Sequence, residues 1–128
     1  MKDDQLIYIE LKSGSGDTGS AWISRVKWSK TRRTLYFNGR ALKRGQGIGA
    51  NFYCLETGDE YWVSGAKKNG QDRHWAGGGS VMIDSRIAEE YRKFLNVSEL
   101  DPGIHPVVTD IQDTDPAKFV DIENQSHS

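Results

Sequence analysis

A chain of 128 residues, 36% hydrophobic and 27% charged, suffices for one domain whose core needs neither disulfide nor metal. Its single cysteine, Cys54, excludes an intramolecular disulfide, and no apolar run approaches the roughly 18 residues of a membrane span. The formal net charge of -1 conceals a division: residues 1 to 96 carry 16 Lys and Arg against 11 Asp and Glu, whereas residues 97 to 128 carry Lys118 against seven acids.

The opening MKDDQLIYIEL lacks the apolar stretch and small-residue cleavage site of a secretory signal, so a cytoplasmic location is expected. Within it, residues 6 to 11 alternate, with Ile7, Ile9 and Leu11 on one face and Leu6, Tyr8 and Glu10 on the other, which predicts a first strand. Residues 13 to 19 form a Gly-rich connection; their SGSG lacks the lysine and following helix of a phosphate loop. From residue 21 to 28 the pattern predicts a strand with Trp22, Val26 and Trp28 on one face and Ile23, Arg25 and Lys27 on the other. After the polar turn SKTRR, residues 34 to 37 and 40 to 43 flank Asn38-Gly39, the pair suited to the two positive φ angles of a type I′ hairpin. Residues 21 to 43 thus read as a three-stranded antiparallel meander.

GQGIGAN at 45 to 51 leads into the strand-like Phe52 to Leu55 rather than a helix, so it reads as a bulged or irregular connection. Glu56 to Asp59 closes a second hairpin into residues 60 to 64. A long Gly-rich loop follows, carrying Lys67, Lys68, Asn69, Asp72, Arg73, His74 and Trp75, before a strand at residues 81 to 83. The period then changes. Asp84 or Ser85 can cap a helix in which Ile87, Ala88, Tyr91, Phe94 and Leu95 recur, Glu89 and Lys93 pair, and Asn96 is the stop. Past residue 97, three prolines and seven acids with scattered apolar residues predict a mobile acidic tail. Val107-Val108 and Phe119-Val120 are the points where it would dock if ordered.

The expected architecture is mainly β: a small antiparallel SH3-like barrel or bent sheet of six to seven short strands with one C-terminal helix over residues 1 to 96, then the tail over 97 to 128. The stretches LKSGSGDTGSAWISRVKWSKTRRTLYFNGRALKR and LETGDEYWVSGAKKNGQDRHWAGGGSVMID, with the EEY of the helix, carry a resemblance spanning about Ile7 to Leu95. In them the chain resembles a family of small, mostly bacterial proteins without an assigned function, many of which bear the name deoxyxylulose-phosphate synthase. That name does not suit the residues. A thiamine-diphosphate synthase is several times longer and needs a Gly-Asp-Gly motif with a distant Asn, which is absent here. The resemblance implies a single domain and supplies no catalytic residues.

The segment Thr18 to Leu55 holds Arg25, Lys27, Lys30, Arg32, Arg33, Arg40, Lys43 and Arg44 with no acid, interleaved with Trp22, Trp28, Tyr36 and Phe37. Cations can track a phosphate backbone and rings can stack on bases, so the pattern predicts binding of nucleic acid or another polyanion. The bland alternative has the charges solvating the outside while the rings fill the interior. The candidate ligand-binding set is Arg25, Lys27, Arg32, Arg33 and Arg40 with the loop residues Lys67, Lys68, Arg73, His74 and Trp75. His74 near Asp72 suggests a general base, but no nucleophile or second carboxylate is identifiable as its partner, so a binding module rather than an enzyme is expected. Metal spacing and cofactor motifs are lacking, and neither is expected. The competing reading is a protein-interaction or regulatory module that grips an acidic or other protein partner with the Trp75 loop and a sheet edge, the acidic tail masking the basic face.

Overall fold

The computed structural model describes residues 4–12, 19–47, 49–73 and 79–125, which form a mainly β body. Among them are nine strands, β1 (Ile7–Leu11), β2 (Ala21–Ser24), β3 (Lys27–Trp28), β4 (Thr34–Phe37), β5 (Arg40–Gly47), β6 (Ala50–Cys54), β7 (Glu60–Gly65), β8 (Met82–Asp84) and β9 (Val107–Val108), and two short helices, α1 (Ala88–Leu95) and α2 (Val120–Gln125). The strands make one sheet in the order β3-β4-β5-β6-β7-β1-β2-β8-β9. No helix of the described residues is long and apolar enough to cross a membrane.

The connection between β2 and β3 explains the shape. They occupy the seventh and first places in the order, yet only Arg25 and Val26 separate them. A flat sheet would hold them about 29 Å apart, six inter-strand spacings, whereas three Cα steps reach only about 11 Å. The sheet must therefore curl into a half-barrel. The single strand expected over residues 21 to 28 is corrected accordingly: its first half pairs with β1 and its second half with β4, so the meander is broken at Arg25-Val26. The sheet is also mixed rather than purely antiparallel, because β8 joins β2, and β9 joins β8, in parallel.

Elsewhere local chemistry is obeyed. Asn38 and Gly39 take φ of 50° and 75°, as the type I′ hairpin between β4 and β5 requires. The register between β5 and β6 shifts between Arg44 and Gly47, within the glycine-rich stretch that predicts a bulged or irregular connection. Asp84 accepts from the Arg86 N–H to start a 3₁₀ turn that leads into α1, and Asn96, at φ 58°, ends the helix in the left-handed region. The expected attraction between Glu89 and Lys93 is present but secondary: Arg92 Nη2 makes the direct contact with Glu89 at 2.5 Å, since i,i+3 neighbours also share a helix face.

Alternation along β1 divides the core in two. Ile7 and Ile9 point into the curl with Leu35, Phe37, Leu42, Phe52 and Val63. Leu6 and Tyr8 point the other way, onto Ile23, Ile83, Ile87 and Tyr91, so α1 lies against the outer face of the sheet. A third cluster sits on the outer face of β4 and β5, where Phe119 packs against Tyr36 and Ala41.

That third cluster belongs to the segment expected to trail as a mobile tail. Residues 97 to 125 lie along the body instead. Val107–Val108 becomes β9, Val81 and Ile83 donate to the carbonyls of Ile104 and Pro106, Gly39 N–H reaches Thr114 Oγ1 at 2.7 Å, and Tyr36 OH donates to Glu123 at 2.6 Å. The physical reason is burial of sparse but well-spaced apolar groups: enclosing one ring such as that of Phe119 is worth about 1.5–3 kcal/mol.

His105, in the same segment, is buried against Tyr91, with Nε2 3.3 Å from the phenol oxygen and the rings edge to face at 5.2 Å. Burial lowers its pKa, against the opposing pull of a Gly70 backbone hydrogen bond and the Asp101 charge. The unfolded chain then takes up the proton first. Stability is complete above the ordinary value of about 6.5 and is lost as pH falls from there through the lower folded value. Urea unfolding at pH 7.5 and pH 5 should show this loss, and His105→Gln should remove that part of it.

Candidate polyanion interface

The turn between β3 and β4 brings the cations together. Ser29 organises it: its N–H donates to Thr34 O at 2.9 Å, its carbonyl accepts from Arg32 N at 3.0 Å, and its Oγ accepts from Thr34 N at 3.1 Å. Arg32 is thereby held at φ 61°, a left-handed conformation costing a residue with a Cβ roughly 1–2 kcal/mol. Such strain persists only where surrounding contacts over-determine it.

Here the contacts come from Arg44 on β5. Its N–H donates to Arg33 O at 2.8 Å and its Nε to Arg32 O at 3.0 Å. The guanidinium carbons of Arg32 and Arg44 lie 5.5 and 5.7 Å from the centre of the Trp28 ring, and Arg44 also lies 5.0 Å from that of Phe52. Across the same turn and β5, Lys30, Arg33 and Lys43 line a recess of about 210 Å³. Five cations, three from this turn and two from β5, thus gather at one end of the half-barrel, Arg32 and Arg44 on the side of Trp28 and Phe52, and Lys30, Arg33 and Lys43 on the side of Tyr36. Two guanidinium groups over one indole gain cation–π attraction and pay for it in mutual repulsion, an arrangement that a bound anion would relieve. Among the described residues one carboxylate borders the recess, that of Glu123 from α2. It accepts the Tyr36 hydroxyl, and burial together with this acidic partner raises the phenol pKa.

Of the eight described residues among the ten singled out from sequence, Arg32 and Arg33 are at this corner. Arg25 is committed to a two-pronged contact with Glu90 of α1, and Lys27 Nζ reaches Thr114 O at 3.4 Å; both border a separate cavity. Arg40 opens β5 four residues from Arg44, about 13 Å along a strand, with Cys54 and Asp59 as neighbours. Lys67 donates its backbone N–H to Asp72 at 2.7 Å, and Lys68 borders a groove beside Leu95 and His105. Arg73 is turned inward, its guanidinium donating to Gly19 O and, at 3.0 Å, to Ser80 O, so it ties the far end of its loop to the residues that lead into β2. His74 and Trp75 lie outside the described residues. Asp72, suggested as an orienting carboxylate, spends Oδ1 on the loop turn; burial raises its pKa against the pull of that bond and of Lys67.

Lys30, Lys43 and Arg44 were visible in the run of eight cations, but strand alternation cannot say which members meet across a turn. A buried acid on β1 was less legible. Glu10, on the face shared with Leu6 and Tyr8, accepts from Tyr8 OH at 2.5 Å and pairs with Lys12 at 2.8 Å. Burial foremost, then that carboxylate, drives the Tyr8 pKa up. Among the described residues no cluster of three His, Cys, Asp or Glu is placed to hold a metal ion. No protein family, curated protein or solved structure matches this chain.

Proposed function

We propose that this protein is a non-catalytic binding module that takes a polyanion, nucleic acid foremost, on the corner built by Lys30, Arg32, Arg33, Lys43 and Arg44. The observation that carries the reading is the pair of guanidinium groups gathered over Trp28 at a strained turn, with three more cations lining a recess across the same turn. Phosphates would neutralise the repulsion and release counterions, and guanidinium planes offer surfaces for bases. In this reading the curled sheet is an SH3-like barrel of the family resembled in sequence, working in the cytoplasm. A second reading draws on Glu123: α2 is a regulatory mask whose acids lower the affinity of the corner until a partner lifts them.

Fluorescence anisotropy with a short single-stranded oligonucleotide tests both. The expected result is binding at low salt that falls steeply as salt is raised, with Arg32→Ala plus Arg44→Ala weakening it at least about tenfold and flattening the salt slope. Asp121→Asn with Glu123→Gln, which keeps an acceptor for Tyr36, should strengthen it. Binding that is undetectable at low salt in both the native chain and the Asp121→Asn, Glu123→Gln variant would end the polyanion reading.

A further inference from the structure

A separate recess is a cavity of about 370 Å³ where the β2–β3 corner, the β4–β5 hairpin, the 3₁₀ turn after β8 and the segment around residue 112 meet. Its volume lies within the range of small-molecule sites, and its walls have their usual make-up, an apolar floor with a few converging polar groups. Val26, Phe37, Ile87 and Ile111 supply the floor; Lys27, Arg86 and Asp113 supply the charged rim.

The rim is organised around Arg86. Asp84, 3% exposed, grips that side chain from behind: Arg86 Nε and Nη2 donate to its carboxylate at 3.0 and 2.8 Å, while Ser24 Oγ donates to it at 2.8 Å. The guanidinium is thus pre-oriented, with Nη1 presented outward. What Nη1 meets is the carboxylate of Asp113, whose side chain is 84% exposed. A pair that open to water contributes little, so Asp113 is readily exchanged. Lys27 stands at the same cavity, and its described contact is the carbonyl of Thr114 rather than a carboxylate.

We infer that this cavity is a binding site for a small organic carboxylate with a compact apolar body. Its carboxylate takes the place of Asp113 on Arg86 and is neutralised by Lys27, and its apolar part rests on Val26, Phe37, Ile87 and Ile111. Asp113 is an internal occupant of the anion position. An open Arg–carboxylate contact anchored by a buried second carboxylate, directly above an apolar floor, has the polarity of such a ligand in the right order. Among the described lining residues this cavity shares Tyr36 with the recess near Trp28 but none of the five cations gathered there, so the two ligand readings stand or fall separately.

Two-dimensional amide NMR of the full chain, titrated with benzoate and with 4-methylpentanoate, tests the assignment, with benzamide and 4-methylpentanamide as neutral counterparts. The expected result is saturable shifts confined to residues around Val26, Asn38, Arg86 and Ile111 to Thr114, with the amides binding at least about tenfold more weakly. Lys27→Gln should weaken carboxylate binding about tenfold, whereas Asp113→Asn should strengthen it about threefold by removing the competitor. Ile111→Trp, which fills the floor, should abolish it. Arg32→Ala with Arg44→Ala should leave it unchanged. The assignment is overturned if neither acid binds, if acids and amides bind alike, or if Lys27→Gln and Asp113→Asn shift affinity in the same direction.

Discussion

Phe52→Ala is expected to cost about 3–5 kcal/mol of folding stability, the usual penalty for emptying the place of a fully enclosed ring. Phe52 is 1% exposed inside the curl, packed with the Leu35, Leu42 and Val63 cluster, and its ring centre lies 6.2 Å from that of Trp28. The curl leaves little room for collapse, because β5, β6 and β7 are tied side by side through their hydrogen bonds. The same change should reach the surface. Arg44 rests over Phe52 as well as over Trp28, so the variant should also weaken oligonucleotide binding although Phe52 contacts no ligand. Urea unfolding at neutral pH measures the first effect. Phe52→Leu, closer in volume, should cost less than about half as much. A loss below about 1 kcal/mol for the alanine variant would mean that the interior is not packed as described.

Asp84→Ala carries the next largest effect. Burial pushes this carboxyl up, but the Arg86 side chain and N–H and the Ser24 hydroxyl together outweigh burial and hold its pKa below the ordinary carboxylate value. Alanine removes a helix-starting cap worth about 0.5–2 kcal/mol and a charge-assisted hydrogen bond worth roughly 1.5–3 kcal/mol, so a loss of about 2–5 kcal/mol is expected. Because the folded pKa is depressed, this stability is present above the unfolded value near 3.9 and is lost as pH falls through the folded value. Asp84→Ala should therefore be much less stable than the native chain at pH 7 and should approach it at pH 2. A difference that stays constant between those pH values would show that packing, not charge, makes Asp84 count. Asp84→Asn retains acceptors for Ser24 and the Arg86 N–H and should lie between the two.

Several elements were legible because their cause lies within a few residues. Alternation of Ile7 and Ile9 with Leu6 and Tyr8 marked β1 and both of its faces, Asn38-Gly39 marked a hairpin, and the spacing of Ile87, Tyr91 and Leu95 marked α1 and its stop at Asn96. The break at Arg25-Val26 was not legible, since alternation runs unbroken from Trp22 to Trp28. It is the closure of a seven-strand order, not any local signal, that bends the chain there. The segment after residue 96 misled for a related reason. Its composition resembles that of a disordered tail, but two valines finding the free edge of β8 and one phenylalanine finding Tyr36 and Ala41 are enough to hold it.

The cationic corner shows the same limit. The run of eight cations without an acid is a property of the sequence, and it alone suggested an anionic ligand. Which of them meet depends on a turn that folds Arg32 back under Arg44, and on partners such as Glu90 that lie far along the chain.

By itself the sequence determined β1, the Asn38-Gly39 hairpin, α1 and the charge division, because each follows from backbone preference and side-chain periodicity over a handful of neighbours. Only the tertiary structure decided which strands lie side by side, where the acidic segment rests and which cations are shared out to carboxylates. Those outcomes are set by contacts between residues as much as 87 positions apart, such as Tyr36 with Glu123, whose energies depend on distance in space and leave no periodic trace along the chain.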